Sequence, residues 1–192
     1  MTPLTPYPDP LTGAELQTLR EACNLTRDEL GALCDVAART VKHWENGRAG
    51  VPADVAALVR SIDKKINVCV NDAAAKIIAG IRHYGFSENS PVLVRYKSDE
   101  DLKAFGGSSF LGLSPHGAMI QRLSRVLARE PIIKSVRIVW FDRTRYLNWN
   151  DLDGKEHLDF ESFRLEPVEN WAERQVPTQA IPHRADQPPP GV

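Results

Sequence analysis

The chain has 192 residues, of which 42% are hydrophobic and 26% charged, with a formal net charge of −1. This is the composition of an ordinary globular protein, with room for one large domain or two small ones. The longest apolar runs are too short to span a membrane, and the N-terminus lacks the basic start and apolar centre of a signal peptide. We therefore expect a cytoplasmic protein with no membrane partner.

Catalytic and metal-binding patterns are missing from the sequence. Three cysteines, Cys23, Cys34 and Cys69, lie far apart without a CxxC pair, which argues against disulfides and zinc and predicts reduced, buried thiols. The five histidines are scattered, and the GGSSFLG segment lacks the spacing of a phosphate-binding loop. We expect no enzyme activity, no cofactor and no metal.

Two similar segments follow the first ten residues, LTGAEL at 11–16 and LTRDEL at 25–30. In each, a threonine precedes a glutamate by three residues, which is the pattern of a helix N-terminal capping box. The sequence predicts helices at about 13–23 and 27–34. A third short helix, in ARTVKHWENG, is predicted to stop at Gly47, since glycine adopts the left-handed conformation that often follows a helix.

A fourth helix is predicted to begin near Pro52 and to continue with helical apolar spacing to residue 84. The β-branched NVCVN segment and Gly80 are two possible breaks in it, and the sequence leaves the choice open. From residue 91 the pattern predicts a strand at 92–96, a short capped helix in SDEDLKAF and a helix at about 116–129. Residues 135–141 and 146–150 are predicted to form a β-hairpin.

Residues 25–47, LTRDELGALCDVAARTVKHWENG, resemble the helix-turn-helix of the Cro and phage-repressor (XRE-type) family. The resemblance rests on a leucine in the second helix and on R-T-V-x-x-W-E-x-G in the third. It implies that the third helix enters the major groove of double-stranded DNA. The implied base-reading residues are Ala38, Arg39, Lys42 and His43, and the implied phosphate contacts are Arg27, Thr40, Asn46 and Arg48.

The inner face of the third helix has a structural role in this interpretation. Val41 and Trp44 are expected in the core together with Leu30 and Leu33, and Glu45 is expected to brace the fold. Ala38 departs from the polar residue that many relatives carry there, and we expect it to contact only a thymine methyl group.

The remaining chain more loosely resembles the anti-CRISPR-associated (Aca) regulators of phages and mobile elements. The segments that carry this resemblance are VPADVAALV, PVLVRYKSDEDLKAF and VRIVWF. It implies a homodimer formed by the C-terminal domain and autorepression of a small operon. A dimer is also expected because a single helix-turn-helix domain buries too little DNA surface for strong binding.

Together these patterns predict an α+β fold, in which an all-α helix-turn-helix N-terminal domain is joined by a long helix to a small mixed α/β dimerisation domain. The predicted boundaries are a flexible leader at 1–10, the DNA-binding domain at 11–66, a connecting helix at 67–90, the dimerisation domain at 91–173 and a disordered proline-rich tail at 174–192.

Charge is distributed unevenly along the chain. Basic and acidic residues number 8 and 8 in residues 11–66, 12 and 7 in 67–150, and 3 and 8 in 151–175. The basic middle has two functional interpretations, contact with flanking DNA or binding of RNA. The interpretation that we favour from sequence alone is that it balances the acidic segment.

The sequence thus predicts a sequence-specific DNA-binding transcriptional regulator, an autorepressor that binds an inverted repeat as a homodimer. The alternative is the antitoxin of a toxin–antitoxin pair, which binds both a toxin protein and its own promoter. In that case the acidic, aromatic segment 151–173 would wrap around a basic toxin.

Overall fold

The computed structural model describes residues 10–84, 90–106 and 112–149, together with residues 172 and 175. These residues form seven helices and a two-stranded sheet. The predicted leader, the acidic segment and the proline-rich tail lie almost entirely outside them.

The first three helices are α1 (Gly13–Ala22), α2 (Arg27–Leu33) and α3 (Ala38–Glu45). Both predicted capping boxes are confirmed, with Thr12 and Thr26 as the N-cap residues. At α2, the Thr26 backbone N donates to Glu29 Oε2 at 2.7 Å, and the Glu29 backbone N donates to Thr26 Oγ1 at 3.1 Å. The short sequence repeat therefore fixes where the first two helices begin.

Each of these helices is followed by a residue with positive φ, namely Asn24 (59°), Asp35 (54°) and Gly47 (71°). After α3, Gly47 N donates to Trp44 O at 3.1 Å and Arg48 N donates to His43 O at 3.0 Å. This pair of hydrogen bonds is a Schellman motif, which satisfies the last carbonyl groups of the helix. The predicted stop at Gly47 is confirmed.

We call residues 11–66 the head, and a core of buried apolar side chains stabilises it. Leu30, Val41 and Trp44 are buried in it, as predicted, but Leu33 is 44% exposed and the prediction for it was wrong. The buried face of α2 runs through Leu30 and Gly31 and turns Leu33 outward. The other buried members of this cluster are Leu11, Leu16, Val55, Ala56 and Val59.

Helix α4 (Ala53–Tyr84) is unbroken over 32 residues. Neither NVCVN nor Gly80 interrupts it, because the inward positions of this stretch pack into a continuous core that outweighs local helix propensity. Those buried positions are Ile62, Ile66, Val70, Ala74 and Ile81.

The second half contains β1 (Val92–Arg95), α5 (Asp99–Phe105), α6 (Leu113–Leu127), β2 (Arg137–Trp140) and α7 (Arg143–Trp149). The two strands are parallel and pair from Val92↔Arg137 to Arg95↔Trp140. The predicted β-hairpin was therefore wrong, because its second arm is helical.

Asp142 explains why the chain after β2 forms the helix α7 and not a second strand. Its carboxylate Oδ1 accepts a hydrogen bond from Arg145 N at 3.0 Å, and its carbonyl oxygen accepts one from Tyr146 N at 2.9 Å. Aspartate is a favoured helix N-cap. Tyr146 and Leu147 are then buried against β1 and α5 in a second cluster with Val94, Tyr96, Leu102 and Phe141.

The head and the second half share one core. Cys23 and Leu25 of the head lie in the same cluster as Ile66 of α4 and the α6 residues Leu123 and Leu127. Burial raises the pKa of the Cys23 thiol to about 11. All three cysteines are free, but Cys34 and Cys69 are only half-buried.

Polar contacts fix α6 on the head near both of its ends. Ser114 Oγ donates to Glu29 Oε1 at 2.5 Å. Arg122 donates to Ala22 O at 2.8 Å and to Asn67 Oδ1 at 2.7 Å, and it forms an ion pair with Asp63. Within the described ranges, no helix combines the length and apolar character needed to cross a membrane.

Gly31 allows the tight turn between α2 and α3. A Cβ on Gly31 would lie 2.6 Å from the backbone O of Val36, so Gly31→Ala must displace the turn. We expect a loss of about 1–3 kcal/mol in the free energy of unfolding, measured by urea denaturation. Gly50→Ala is the control, because a Cβ there meets nothing within 4 Å. Equal stability of the two variants would contradict this role.

His116 should make the fold acid-sensitive. Burial, assisted by the charge of Arg95, lowers the pKa of His116 from 6.5 to about 4. Between these values the unfolded chain binds a proton that the native state does not, so stability falls as the pH falls. The expected loss is about 2 kcal/mol between pH 7 and pH 5, measured by urea denaturation.

The matched variant is His116→Phe, which keeps a ring against Tyr96 and removes the titrating group. Its stability should change less between the same two pH values. An unchanged pH dependence would show that His116 is not the group responsible.

Candidate nucleic-acid interface

A shallow depression of about 660 Å³ lies along the outer side of α3. Six of the eight predicted DNA-contacting residues line it. We call it the basic depression, and its lining residues are Arg20, Arg27, Asp28, Ala38, Arg39, Lys42, His43 and Arg48.

The amphipathic pattern of α3 explains this arrangement. Val41, Trp44 and Glu45 are buried, whereas Arg39 and Lys42 are exposed. Positions three apart lie on the same side of a helix, so the two cations project from one face.

Thr40 and Asn46, the other two predicted phosphate contacts, do not line the depression. Thr40 is half-buried in the first turn of α3, where its backbone N donates to Ala37 O at 2.8 Å. Asn46 is the exposed C-cap residue of the same helix. The structure thus brings six of the predicted residues together and leaves these two apart.

Glu45 lies beneath the depression with a fully buried carboxylate. Its Oε1 accepts a hydrogen bond from Arg20 Nε and its Oε2 accepts one from Arg27 Nε, each at 2.6 Å. Burial alone would raise the pKa of Glu45, but hydrogen bonds and charge from the two arginines outweigh it and lower the pKa. Glu45 therefore joins α3 to α1 and α2, which agrees with the predicted bracing role.

Arg20 is the functional residue that sequence reasoning missed. It is buried, yet it also lines the depression, and its Nη1 donates to Leu25 O at 2.6 Å. A signal was present, because Arg20 follows Leu16 by four residues and so falls on the buried face of α1. A buried arginine requires a carboxylate or carbonyl partner, and here it has both.

The electrostatic balance of the depression is positive. Arg20 and Arg27 share the negative charge of Glu45. Among the described residues, no carboxylate forms an ion pair with Arg39, Lys42 or Arg48. Guanidinium and ammonium groups held on a helix face can bind phosphate oxygens, and can donate to the acceptor atoms of guanine.

Histidine, cysteine and acidic side chains do not gather into a metal-binding group in the part of the chain that is described. The depression itself is lined mainly by basic side chains, and Asp28 is the one acidic residue among the described residues that line it. Its chemistry favours an anionic partner.

Comparison with known proteins agrees with this geometry. Residues 12–62 match a family model described as a helix-turn-helix domain. No curated protein matches the chain. The matched segment contains α1, α2, α3 and the first turns of α4, and it supports a helix-turn-helix regulator that binds DNA.

Glu45 should be required to hold the head together. Glu45→Gln keeps the shape of the side chain but removes the buried charge partner of Arg20. Breaking a buried ion pair in this way costs about 3–5 kcal/mol. We expect a loss at the lower end of that range, because the amide still accepts a hydrogen bond, measured by urea denaturation at neutral pH.

The control variant is Glu21→Gln, which removes an exposed carboxylate that also pairs with Arg20 at 3.3 Å. Exposed pairs contribute about 0–1 kcal/mol. If Glu45→Gln proved no more destabilising than Glu21→Gln, the bracing role would be refuted.

Proposed function

We propose that this protein is a transcriptional regulator that reads a specific DNA sequence with α3. The observation that carries the proposal is the basic depression, where Arg39 and Lys42 extend from α3, which Glu45 holds in place, and Arg48 lies just after the end of that helix. The match of residues 12–62 to a helix-turn-helix domain supports it.

Within this proposal, each of the eight predicted DNA-contacting residues has a chemical role. Arg39 and Lys42 donate hydrogen bonds to guanine O6 and N7, His43 contacts a base edge or the backbone, and Ala38 packs on a thymine methyl group. Arg27 and Arg48 bind phosphate, as do Thr40 and Asn46 at the ends of α3. Arg27 keeps part of its guanidinium accessible, since its side chain is 38% exposed despite the bond to Glu45.

We further propose an XRE-type reading mode and an Aca-like biological role. The protein acts as a homodimer on an inverted repeat and represses its own operon in the cytoplasm. Support comes from the tight α2–α3 connection, the R-T-V-x-x-W-E-x-G pattern and the small DNA surface that one head can cover.

The antitoxin alternative depends on the acidic segment 151–173, which lies almost wholly outside the described residues. No structural observation favours it over the regulator. A DNA-binding regulator remains the function that the site supports best.

The proposal is tested by selecting duplexes from random-sequence DNA with purified protein. We expect an inverted repeat with half-site centres about 10 bp apart, or a multiple of that, because each head reads one major groove. The same repeat is expected upstream of the protein's own coding sequence.

Arg39→Ala and Lys42→Ala are the informative variants. Arg39→Ala should lose about 1–3 kcal/mol of discrimination between the correct and the wrong base at one position of each half-site. Lys103→Ala, which removes an exposed cation from α5, is the charge-matched control. Selection of no preferred sequence by the wild type, or of the same sequence by an Arg39→Ala/Lys42→Ala double variant, would refute the assignment of α3.

A further inference from the structure

A second exposed surface with nucleic-acid chemistry lies on the small sheet. Trp140 on β2 is 54% exposed and Ile138, two residues earlier on the same face, is 50% exposed. The guanidinium carbon of Arg95 lies 5.6 Å from the centroid of the Trp140 ring, and Lys97 Nζ lies 5.9 Å from it. We call these four residues the Trp140 patch.

The charge of the patch is not balanced locally. Within the described part of the chain, no carboxylate forms an ion pair with Arg95 or Lys97. The neighbouring acids of α5 are engaged elsewhere, since Glu100 and Asp101 face Arg143 and Asp99 Oδ1 accepts from Leu113 N. A second copy of this surface would bring like charges together, so an anionic partner fits better.

The patch adjoins the head at the loop that leads into α2. A Cβ on Gly117 of α6 would lie 2.7 Å from Arg95 Nη2 and 3.2 Å from Asn24 Nδ2, so these two polar groups lie side by side around Gly117. Asn24 Nδ2 also approaches Ser114 O at 3.4 Å. Three residues after Asn24 comes Arg27, which lines the basic depression.

Cation–π contact with Trp140 restrains the two cations. An arginine or lysine side chain near the face of an exposed tryptophan ring is attracted to the ring and loses some of its rotational freedom. Arg95 is half-buried and Lys97 is exposed, and both side chains can donate hydrogen bonds to the oxygens of a phosphate backbone.

We propose that the Trp140 patch is a second DNA-contacting surface, which binds the phosphate backbone of the duplex that flanks the segment read by α3. This inference rests on the proposed function. Asn24, which lies beside Arg95, and Arg27, which lines the basic depression, are three residues and therefore at most about 11 Å apart. The patch thus lies close enough to the head to reach DNA within roughly one helical turn of the half-site. It contributes affinity without base preference.

The test is a duplex-length series on the DNA sequence selected by the wild-type protein. One duplex ends at the inverted repeat, and the other carries about 10 bp of arbitrary sequence on each side, roughly one more helical turn. The wild type should bind the extended duplex roughly tenfold more tightly at low salt. The slope of log K against log salt concentration should also be steeper, by about 0.9 for each added phosphate contact.

The Arg95→Gln/Lys97→Gln variant should bind the short duplex like the wild type and gain little from the extension. Lys97→Gln alone changes only an exposed side chain, and it should show part of the same loss. It replaces the double variant in the test if the double variant fails to fold. Lys103→Gln should keep the full wild-type gain. Light scattering without DNA should give the same mass for all of these proteins.

Three outcomes would overturn the inference. If the wild type binds both duplexes equally, the patch does not touch flanking DNA, although the proposed function stands. If the variants change the mass of the free protein, the patch is an interface between copies. If they instead lose binding to a single-stranded RNA oligonucleotide while keeping the gain from flanking DNA, the patch serves RNA. Failure of the wild type to prefer any duplex would refute the proposed function itself.

Discussion

The buried carboxylate of Glu45 is the constraint on which the candidate site depends. It comes from the last residue of α3 and accepts bonds of 2.6 Å from arginines on α1 and α2. A buried carboxylate is costly unless nearby charges and hydrogen bonds compensate it. The head therefore reaches low energy only with all three helices in one relative position, and that position turns Arg39 and Lys42 outward. Buried charge here provides orientation more than stability.

The same carboxylate also fixes two cations at the depression. Arg20 and Arg27 share the negative charge of Glu45, which holds each guanidinium in place, and Arg20 also pairs with the exposed Glu21. A cation that is already oriented loses less conformational entropy when it binds phosphate than one on a free side chain. Arg39, Lys42 and Arg48 add charge without such bracing. The depression thus combines two arginines held in place by Glu45 with freer side chains on and after α3. The held arginines suit phosphate contacts that position the protein, and the freer side chains suit contacts with bases.

Local sequence rules predicted the parts of this structure that depend on local interactions. The capping boxes at Thr12 and Thr26, the stop at Gly47 and the buried face of α3 each follow from residues a few positions apart. Six of the eight residues expected to contact DNA also meet in one depression, although their roles in binding DNA stay a prediction. These features depend on neighbours in sequence, where helix geometry fixes the distances.

The features that the sequence did not predict depend on distant partners. Arg20 meets Glu45 across 25 positions, and only the packed head brings them together. The parallel pairing of β1 with β2 replaces the predicted hairpin because α5 and α6 cross between the strands. In the same way, α4 continues through NVCVN because α6 covers its inner face. Local propensity was outweighed in each case by burial against an element far away in the chain.

The shared core gives the two halves a common geometry. If α4 had broken near residue 67, the sheet would swing freely relative to α3, and any contact that it made with DNA would cost conformational entropy. Instead Ile66 and Leu127 lie in one cluster with Cys23, and Arg122 ties α6 to the carbonyl of Ala22 at the end of α1. The second half is therefore positioned by the same packing that positions the reading helix. A surface on the sheet would add to the affinity of α3 because the shared core holds the two in a fixed relation.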